Sequence, residues 1–232
     1  MPYSGDIDLA AAAALLADST RVSILETLSD GKRIPAGELA RMARVSPSTI
    51  SAHLAKLVES GLIAAEKQGR YHYYRLANDS IFVVLEGLAT FAPHQAVRSL
   101  RDANIGEAVR LARTCYNHLA GRLGVQVTQA LVEKGRLIEA EEGYMLSAEG
   151  GQWFQRLGIE VVEQRKGSLF VPRHIDWSER RYHFAGTLGA AFTTRLFELG
   201  WLRRLPGSRA VRLTEEGEQA LSQEIDLQCS RD

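Results

Sequence analysis

The segment SPSTISAHLAKLVESGLI, residues 46–63, constrains the fold of this chain more than any other stretch. Ser46 is suited to cap a helix, and Pro47 suits the first helical position because the N–H there has no partner within the helix. Apolar residues then recur at helical spacing until Gly61, which closes the helix. Residues 62–77, LIAAEKQGRYHYYRLA, alternate around a glycine-containing polar tip, which predicts a two-stranded hairpin.

Three further helices are predicted before this segment. The first covers residues 7–17, the second is RVSILETLSD after a cap at Asp18 to Thr20, and the third covers about residues 36–43, with Leu39 and Met42 pointing inward. The order helix, helix, turn, helix, hairpin is that of a winged helix-turn-helix. The predicted fold class is therefore mainly α with small β-hairpins.

Short hydroxyl residues crowd the start of the helix that follows Ser46. Ser48, Thr49 and Ser51 have modest helix propensity, yet they can reach phosphates and base edges if this helix enters the major groove with its N-terminus first. The local charge agrees with that interpretation. Residues 32–76 contain eight basic and three acidic side chains, a net +5 in a chain whose formal net charge is +0.

Three pieces of the sequence, ADSTRVSILETLSDG, GELARMARVSPSTISAHLAKLVESGLI and EKQGRYHYYRL, resemble the arsenic-repressor (ArsR/SmtB) family of bacterial winged-helix regulators. The resemblance covers about residues 8–92. It implies a homodimer that binds double-stranded operator DNA and usually represses. It also implies dimerisation through the first helix and through SIFVVLEGLATF, the helix after the wing.

The resemblance places Ser48, Thr49, Ser51 and His53 on the face that reads DNA and Arg70 at the tip of the wing. A packing role for His53 is the alternative. The full set of predicted DNA-contacting residues is Ser46, Ser48, Thr49, Ser51, His53, Lys56, Lys67, Arg70 and His72.

The chain departs from the metal-sensing members of that family. Their thiol ligands would align near Pro35 and Gly37, where this sequence has no cysteine. Residues 81–92, where zinc-sensing members carry carboxylate and histidine pairs, contain Glu86 and no histidine. The resemblance therefore does not identify the signal.

An internal repeat organises the second half of the chain. HLAGRLGVQVTQALVEKGRL, beginning at His118, matches HFAGTLGAAFTTRLFELGWL, beginning at His183. We predict a winged helix-turn-helix domain over residues 1–95, a connecting helix over 96–112 and a sensor domain over 113–232. The sensor domain would hold two degenerate winged-helix-like repeats, at about 113–165 and 178–225, that no longer bind DNA.

Candidate chemistry in this half centres on Cys115, Tyr116 and His118, predicted on one helix, and on His183, the repeat equivalent of His118. If the repeats pack about a pseudo-twofold axis, the two histidines approach one another. Cys115, His118 and His183 are candidate ligands of a soft metal ion, and the thiol is a candidate redox sensor. No cofactor is required by the sequence. The alternative is that these residues have a structural role, because repeated glycines are typical of tight helix packing.

Two further patterns in the second half indicate structural roles. Asp176 and residues 179–181 are predicted to form a solvated helix start. Five aromatic residues suit a core better than an effector pocket: Trp153, Phe154, Trp177, Phe197 and Trp201.

The composition excludes several classes of protein. The cysteines, Cys115 and Cys229, are too few for a disulfide framework, and neither a signal peptide nor a bilayer-length apolar run is evident. We expect a cytoplasmic protein with no membrane partner. Signatures of catalysis are absent, so we expect a regulator rather than an enzyme.

The leading hypothesis is a homodimeric repressor, released from its operator by a small-molecule, metal or oxidant effector acting on the second half. The alternative is an architectural or co-regulator protein whose second half binds a protein partner.

Overall fold

The computed structural model describes residues 7–29, 31–78, 80–93, 99–161, 169–206 and 208–227. The chain divides into two compact units, Met1–Leu85 and Glu86–Asp232. None of the helices in the described ranges combines the length and the apolar character needed to cross a bilayer.

The first unit contains the predicted helices and hairpin. Its elements, in chain order, are α1 (Leu9–Leu16), α2 (Ser19–Leu28), β1 (Ile34–Pro35), α3 (Ala36–Ala43), α4 (Pro47–Glu59), β2 (Ile63–Gln68), β3 (Tyr71–Leu76) and the beginning of α5 (Ser80–Ala89). The boundary between the units falls within α5.

Helix α4 begins and ends for the reasons that its sequence indicates. The Ser46 side chain accepts a hydrogen bond from the backbone N–H of Thr49, 3.1 Å away, and Pro47 occupies the first turn. After the helix, Gly61 adopts a φ of +70°, a left-handed conformation that glycine enters without steric cost. Three apolar residues of α4 are buried: Ile50, Leu54 and Leu57.

The wing is an antiparallel hairpin. Strands β2 and β3 pair from Ile63 opposite Leu76 to Gln68 opposite Tyr71, which leaves Gly69 and Arg70 as the turn. The hairpin prediction is confirmed. Strand β1, which the sequence does not predict, pairs with the other edge of β3 to give the order β1-β3-β2.

The prediction that Met42 points into the core of the first unit is wrong. Leu39 is buried, but Met42 on α3 is 41% exposed. Leu39 and Ala40 form the buried face of α3, and Met42 lies outside it.

The second unit mixes helices with short antiparallel strands. Its elements are α6 (Leu100–Leu111), β4 (Arg113–Cys115), β5 (His118–Ala120), α7 (Gly121–Glu133), β6 (Leu137–Ala140), β7 (Gly143–Leu146), α8 (Ala148–Arg156), β8 (Phe170–Ile175), β9 (Tyr182–Phe184), α9 (Gly186–Glu198), β10 (Leu202–Arg204), β11 (Val211–Leu213) and α10 (Glu215–Ile225). Strands β6, β7, β8 and β9 form one sheet in that order, while β4 pairs with β5 and β10 with β11.

The two copies of the sequence repeat have the same order of elements. Each copy runs strand, helix, two strands and helix: β5, α7, β6, β7 and α8 in the first, then β9, α9, β10, β11 and α10 in the second. The final helices begin alike, because the side chain of Ser147 caps α8 through the N–H of Gly150 and Thr214 caps α10 through that of Gly217. Equivalent residues of the repeat therefore occupy equivalent places.

The structure corrects two predictions in the second unit. Cys115 and His118 lie on β4 and β5, joined by a tight turn in which Tyr116 has a φ of +59°, and not on one helix. Residues 176–181 form no helix start, and Asp176 is fully buried.

The remaining predictions for this unit concern the connecting helix and the aromatic residues. Helix α6 begins at Leu100, and residues 96–98 of the predicted connecting helix lie outside the described residues. Trp153 and Phe154 are fully buried, and Phe197 and Trp201 pack against the same core.

Candidate functional site

The N-terminus of α4 presents a cluster of exposed hydroxyl groups. The Ser46 hydroxyl shares hydrogen bonds with those of Ser48 and Thr49, each at an oxygen–oxygen distance of 2.8 Å, and Ser51 donates to the carbonyl of Pro47 at the same distance. All four side chains are exposed. A helix N-terminus with hydroxyls around it is suited to hold a phosphate.

The other predicted DNA-contacting residues divide into two groups. Lys56, Lys67, Arg70 and His72 are exposed. His53 is only partly exposed, and its Nδ1 lies 3.5 Å from a carboxylate oxygen of Asp18, the residue that caps α2. This contact favours the packing role for His53, and DNA contact by the whole set remains a prediction.

Two of the basic residues counted in residues 32–76 share one acid, Glu66. Arg75 donates to Glu66 at 2.6 Å, and Arg33 lies 2.8 Å from the same carboxylate. The Arg75 hydrogen bond is the main reason that the pKa of Glu66 is lowered. The positive charge available to DNA therefore lies mainly on the wing tip and on α4.

Four metal-binding side chains converge in the second unit. One ligand atom from each of Cys115, His118, His174 and His183 lies within 4.8 Å of the corresponding atom of every other member. We call these four residues the Cys–His cluster. Among the residues that the structure describes, it is the one group of three or more such side chains that could hold a metal ion.

Strand pairing brings the four residues together. Cys115 lies directly opposite His118 across β4 and β5, and His174 lies directly opposite His183 across β8 and β9. Residues in such a position have neighbouring Cβ atoms on the same face of the strand pair. Each hairpin thus contributes two ligands, and the two pairs face one another.

Glycines allow the two pairs to approach. A Cβ atom added to Gly189 would lie 3.1 Å from the Cβ of His118, and one added to Gly124 would lie 3.8 Å from the Cβ of His183. Gly124 and Gly189 are equivalent positions of the repeat, as are His118 and His183. The contact is therefore reciprocal, as expected for packing about a pseudo-twofold axis.

Most of the Cys–His cluster is shielded from solvent. Cys115, His118 and His183 are buried, and His174 is partly exposed. Within the described residues, Nε2 of His118 and both ring nitrogens of His183 have no hydrogen-bond partner. Buried polar atoms are nearly always hydrogen-bonded in proteins, so these orphaned nitrogens require an explanation.

Burial also determines the protonation of the cluster. It lowers the pKa of both His118 and His183. The neighbouring imidazoles lower the pKa of His118 further, and at His183 the Asp176 carboxylate offsets only part of the lowering, so both rings are neutral near pH 7. Burial raises the pKa of the Cys115 thiol well above its usual range, with Glu86 adding to the effect. A protonated, buried thiol reacts poorly with oxidants, which disfavours Cys115 as a direct redox sensor.

A buried ion pair adjoins the cluster. Asp176 accepts a hydrogen bond from the Arg113 guanidinium at 2.9 Å and one from the backbone N–H of Gly121 at 2.6 Å. Its carboxylate lies 3.9 Å from Nδ1 of His183. On the other side Arg113 lies 3.5 Å from Glu86, which Arg209 also contacts at 3.0 Å.

The ion pair keeps Asp176 charged. Burial alone would raise the pKa of Asp176, but the charge of Arg113 and the hydrogen bonds from Ser178 and Gly121 outweigh burial and lower that pKa. The cluster is therefore bordered by a charged carboxylate that can accept a hydrogen bond from His183.

Three members of the cluster, Cys115, His118 and His183, are predicted from the sequence, and the rest of the site is not. The repeat identified His118 and His183, but His174 has no repeat partner to identify it. The pattern around Asp176 predicts a solvated helix start, not a buried carboxylate. Tyr116, predicted beside Cys115 as an effector residue, lies in the turn between β4 and β5 and outside the cluster.

Comparison with known proteins relates the chain to transcriptional regulators. A family model described as "Bacterial regulatory protein, arsR family" matches residues 18–65. Over 221 residues the chain is 42% identical to the uncharacterized HTH-type transcriptional regulator YdfF of Bacillus subtilis (strain 168), which covers 95% of this chain and 98% of the relative.

Other matches are shorter. The Arsenical resistance operon repressor of Escherichia coli (strain K12) is 41% identical over 63 residues, which is 27% of this chain and 54% of that protein. The crystal structure of NolR from Sinorhizobium fredii matches at 28% identity and a TM-score of 0.34, covering 36% of this chain and 82% of that chain.

Proposed function

The chain belongs to the arsR family of bacterial regulatory proteins, and we propose that it is a homodimeric repressor that leaves its operator when an effector acts on the second unit. The family consists of regulators, in agreement with the prediction that the chain is not an enzyme. Operator binding, dimerisation and effector release of this chain are the three elements of the proposal.

The single observation that carries operator binding is the hydroxyl cluster at the start of α4. Ser46, Ser48 and Thr49 are exposed at a helix N-terminus, and the basic tip of the wing belongs to the same unit. Such a helix enters the major groove with its first turn, where short hydroxyls reach bases and phosphates. Lys67 and Arg70 on the wing would then contact the DNA backbone.

Exposed apolar side chains support dimerisation. Helix α1 contains no buried residue, and Ile7 and Leu9 are 77% and 75% exposed. On α5, Val83 and Val84 also face solvent. Apolar groups gathered on two helices are stabilised when a second copy covers them, and a twofold dimer would place two α4 helices about one DNA turn, roughly 34 Å, apart.

Footprinting the full-length protein on the DNA upstream of its own gene tests this proposal. We expect protection of a near-palindromic site whose halves are about one helical turn apart. Repeating the footprint with zinc, arsenite, diamide and small aromatic compounds tests effector release. Absence of any protected site would refute operator binding. Protection that no compound reverses would favour the co-regulator alternative.

A further inference from the structure

We propose that Cys115, His118, His174 and His183 bind one zinc ion in the second unit, through one thiolate and three imidazoles. The proposal concerns metal binding alone and stands whether or not the protein leaves an operator in response. It is separate from the regulatory sites of metal-sensing family members, whose ligand positions this sequence lacks.

The number and kinds of ligands fit zinc. Zinc prefers four ligands in a tetrahedron, bound by Cys sulfur at about 2.3 Å and His nitrogen at about 2.0–2.1 Å. Those bond lengths imply ligand–ligand separations of about 3.3–3.6 Å. The four ligand atoms lie within 4.8 Å of one another, so rotations that move each atom by about 1 Å close the site.

The backbone already holds the ligands in place. Each of the two strand pairs fixes two ligands opposite one another, and reciprocal packing on Gly124 and Gly189 fixes the pairs against each other. Binding would therefore need side-chain rotation but no refolding, which lowers its entropic cost.

Simple packing explains the cluster less well than a metal does. A structural histidine normally satisfies its ring nitrogens with hydrogen bonds, yet Nε2 of His118 and both ring nitrogens of His183 lack a partner within the described residues. Apolar side chains would fill the same space without that cost. A metal ion would satisfy the nitrogens that bind it.

The surroundings of the cluster suit a bound cation. Thiolate and imidazole ligands select zinc over magnesium and calcium, which prefer oxygen. Asp176 lies where it could accept the second N–H of His183, the arrangement that orients metal-bound histidines in many sites. His174 is partly exposed and marks the side from which an ion can enter.

Cobalt(II) is a direct probe of this site because its absorption reports both tetrahedral geometry and thiolate ligation. The full-length protein, freed of metal with a chelator and kept reduced, is titrated with Co²⁺ and then with Zn²⁺. We expect one equivalent of Co²⁺ to produce thiolate-to-cobalt charge-transfer absorption and tetrahedral ligand-field bands. One equivalent of Zn²⁺ should remove both.

Variants identify the ligands. Cys115→Ser should lose the charge-transfer absorption, whereas Cys229→Ser, which removes the other thiol, should retain it. His118→Gln and His183→Gln should weaken Zn²⁺ binding by at least about tenfold. Because substitutions at buried positions can disturb folding, His174→Ala at the partly exposed position provides a further test, with circular dichroism confirming that each variant is folded.

Two results would overturn the proposal. One is a wild-type protein that binds no stoichiometric Co²⁺ or Zn²⁺. The other is a folded His174→Ala or Cys115→Ser protein with the wild-type spectrum and affinity. Operator binding by the same preparations is measured separately, so failure of the metal site is distinguishable from failure of the proposed repressor function.

Discussion

His118 and His183 stand 65 positions apart in the chain, yet their ring centroids lie 5.1 Å apart and the Cβ of each histidine lies beside a glycine of the other repeat. The contact joins the two repeats at their equivalent positions. Any side chain at Gly124 or Gly189 would therefore act on both the packing of the repeats and the Cys–His cluster.

Replacing Gly124 by alanine should destabilise the second unit. The new Cβ would lie 2.5 Å from the carbonyl oxygen of Leu119, a backbone atom that cannot rotate away. We expect a loss of about 1–3 kcal/mol in the free energy of unfolding, measured with urea. Gly106→Ala is the matched control, because a Cβ on that helical glycine meets nothing within 4 Å and should stabilise by up to about 1 kcal/mol. Equal effects of the two changes would contradict the packing described.

Asp176→Asn should be strongly destabilising. Asp176 and Arg113 are both fully buried, and the substitution keeps the shape of the side chain while removing the charge that faces the guanidinium. Removing one partner of a buried ion pair typically costs about 3–5 kcal/mol. Glu179→Gln, at a partly exposed acid in the same loop, should cost little. Denaturant unfolding of the two variants side by side would show a large difference if the ion pair stabilises the unit.

Ser48→Ala and Thr49→Ala should weaken binding to the operator while leaving non-specific binding nearly unchanged. Each lost base contact is expected to cost about 1–3 kcal/mol. Ser222→Ala, at an exposed serine of α10, provides the control. Gel-shift titrations with operator and unrelated DNA separate the two kinds of binding. Wild-type affinity for the operator in both variants would remove α4 from the recognition site.

Arg70→Ala should have a different signature, because Arg70 lies in the exposed turn of the wing. Loss of a phosphate contact should weaken binding to all DNA sequences and reduce the slope of log K against log salt by about one. Titrations at several salt concentrations measure this slope. A change in sequence preference with an unchanged slope would mean that Arg70 reads bases instead.

Leu9→Asp and Val84→Asp should shift the protein from dimer to monomer. Both side chains are exposed, at 75% and 53%, and a carboxylate buried between two copies would be costly. Ile138→Asp, at a residue of β6 that is about as exposed as Val84, should leave the assembly unchanged. Sedimentation at micromolar concentration compares them. A wild-type monomer, or dimers that tolerate both substitutions, would contradict the proposed interface.

The sequence by itself determined the winged helix-turn-helix, because its signals are local. Ser46 and Pro47 start a helix through contacts within one turn, and the hairpin depends on alternation around Gly69. The repeat also predicted that His118 and His183 would approach one another, since equivalent positions near a pseudo-twofold axis lie close together.

Only the tertiary structure decided the rest of the site. The stretch from Arg113 to His118 is too short for a periodic pattern, and pairing between strands, rather than helix propensity, determines its conformation. His174 joins the cluster because its strand pairs with that of His183. Asp176 accepts a hydrogen bond from Arg113, which lies 63 residues away in the chain. These contacts depend on long-range packing, which leaves no periodic trace in the residues around them.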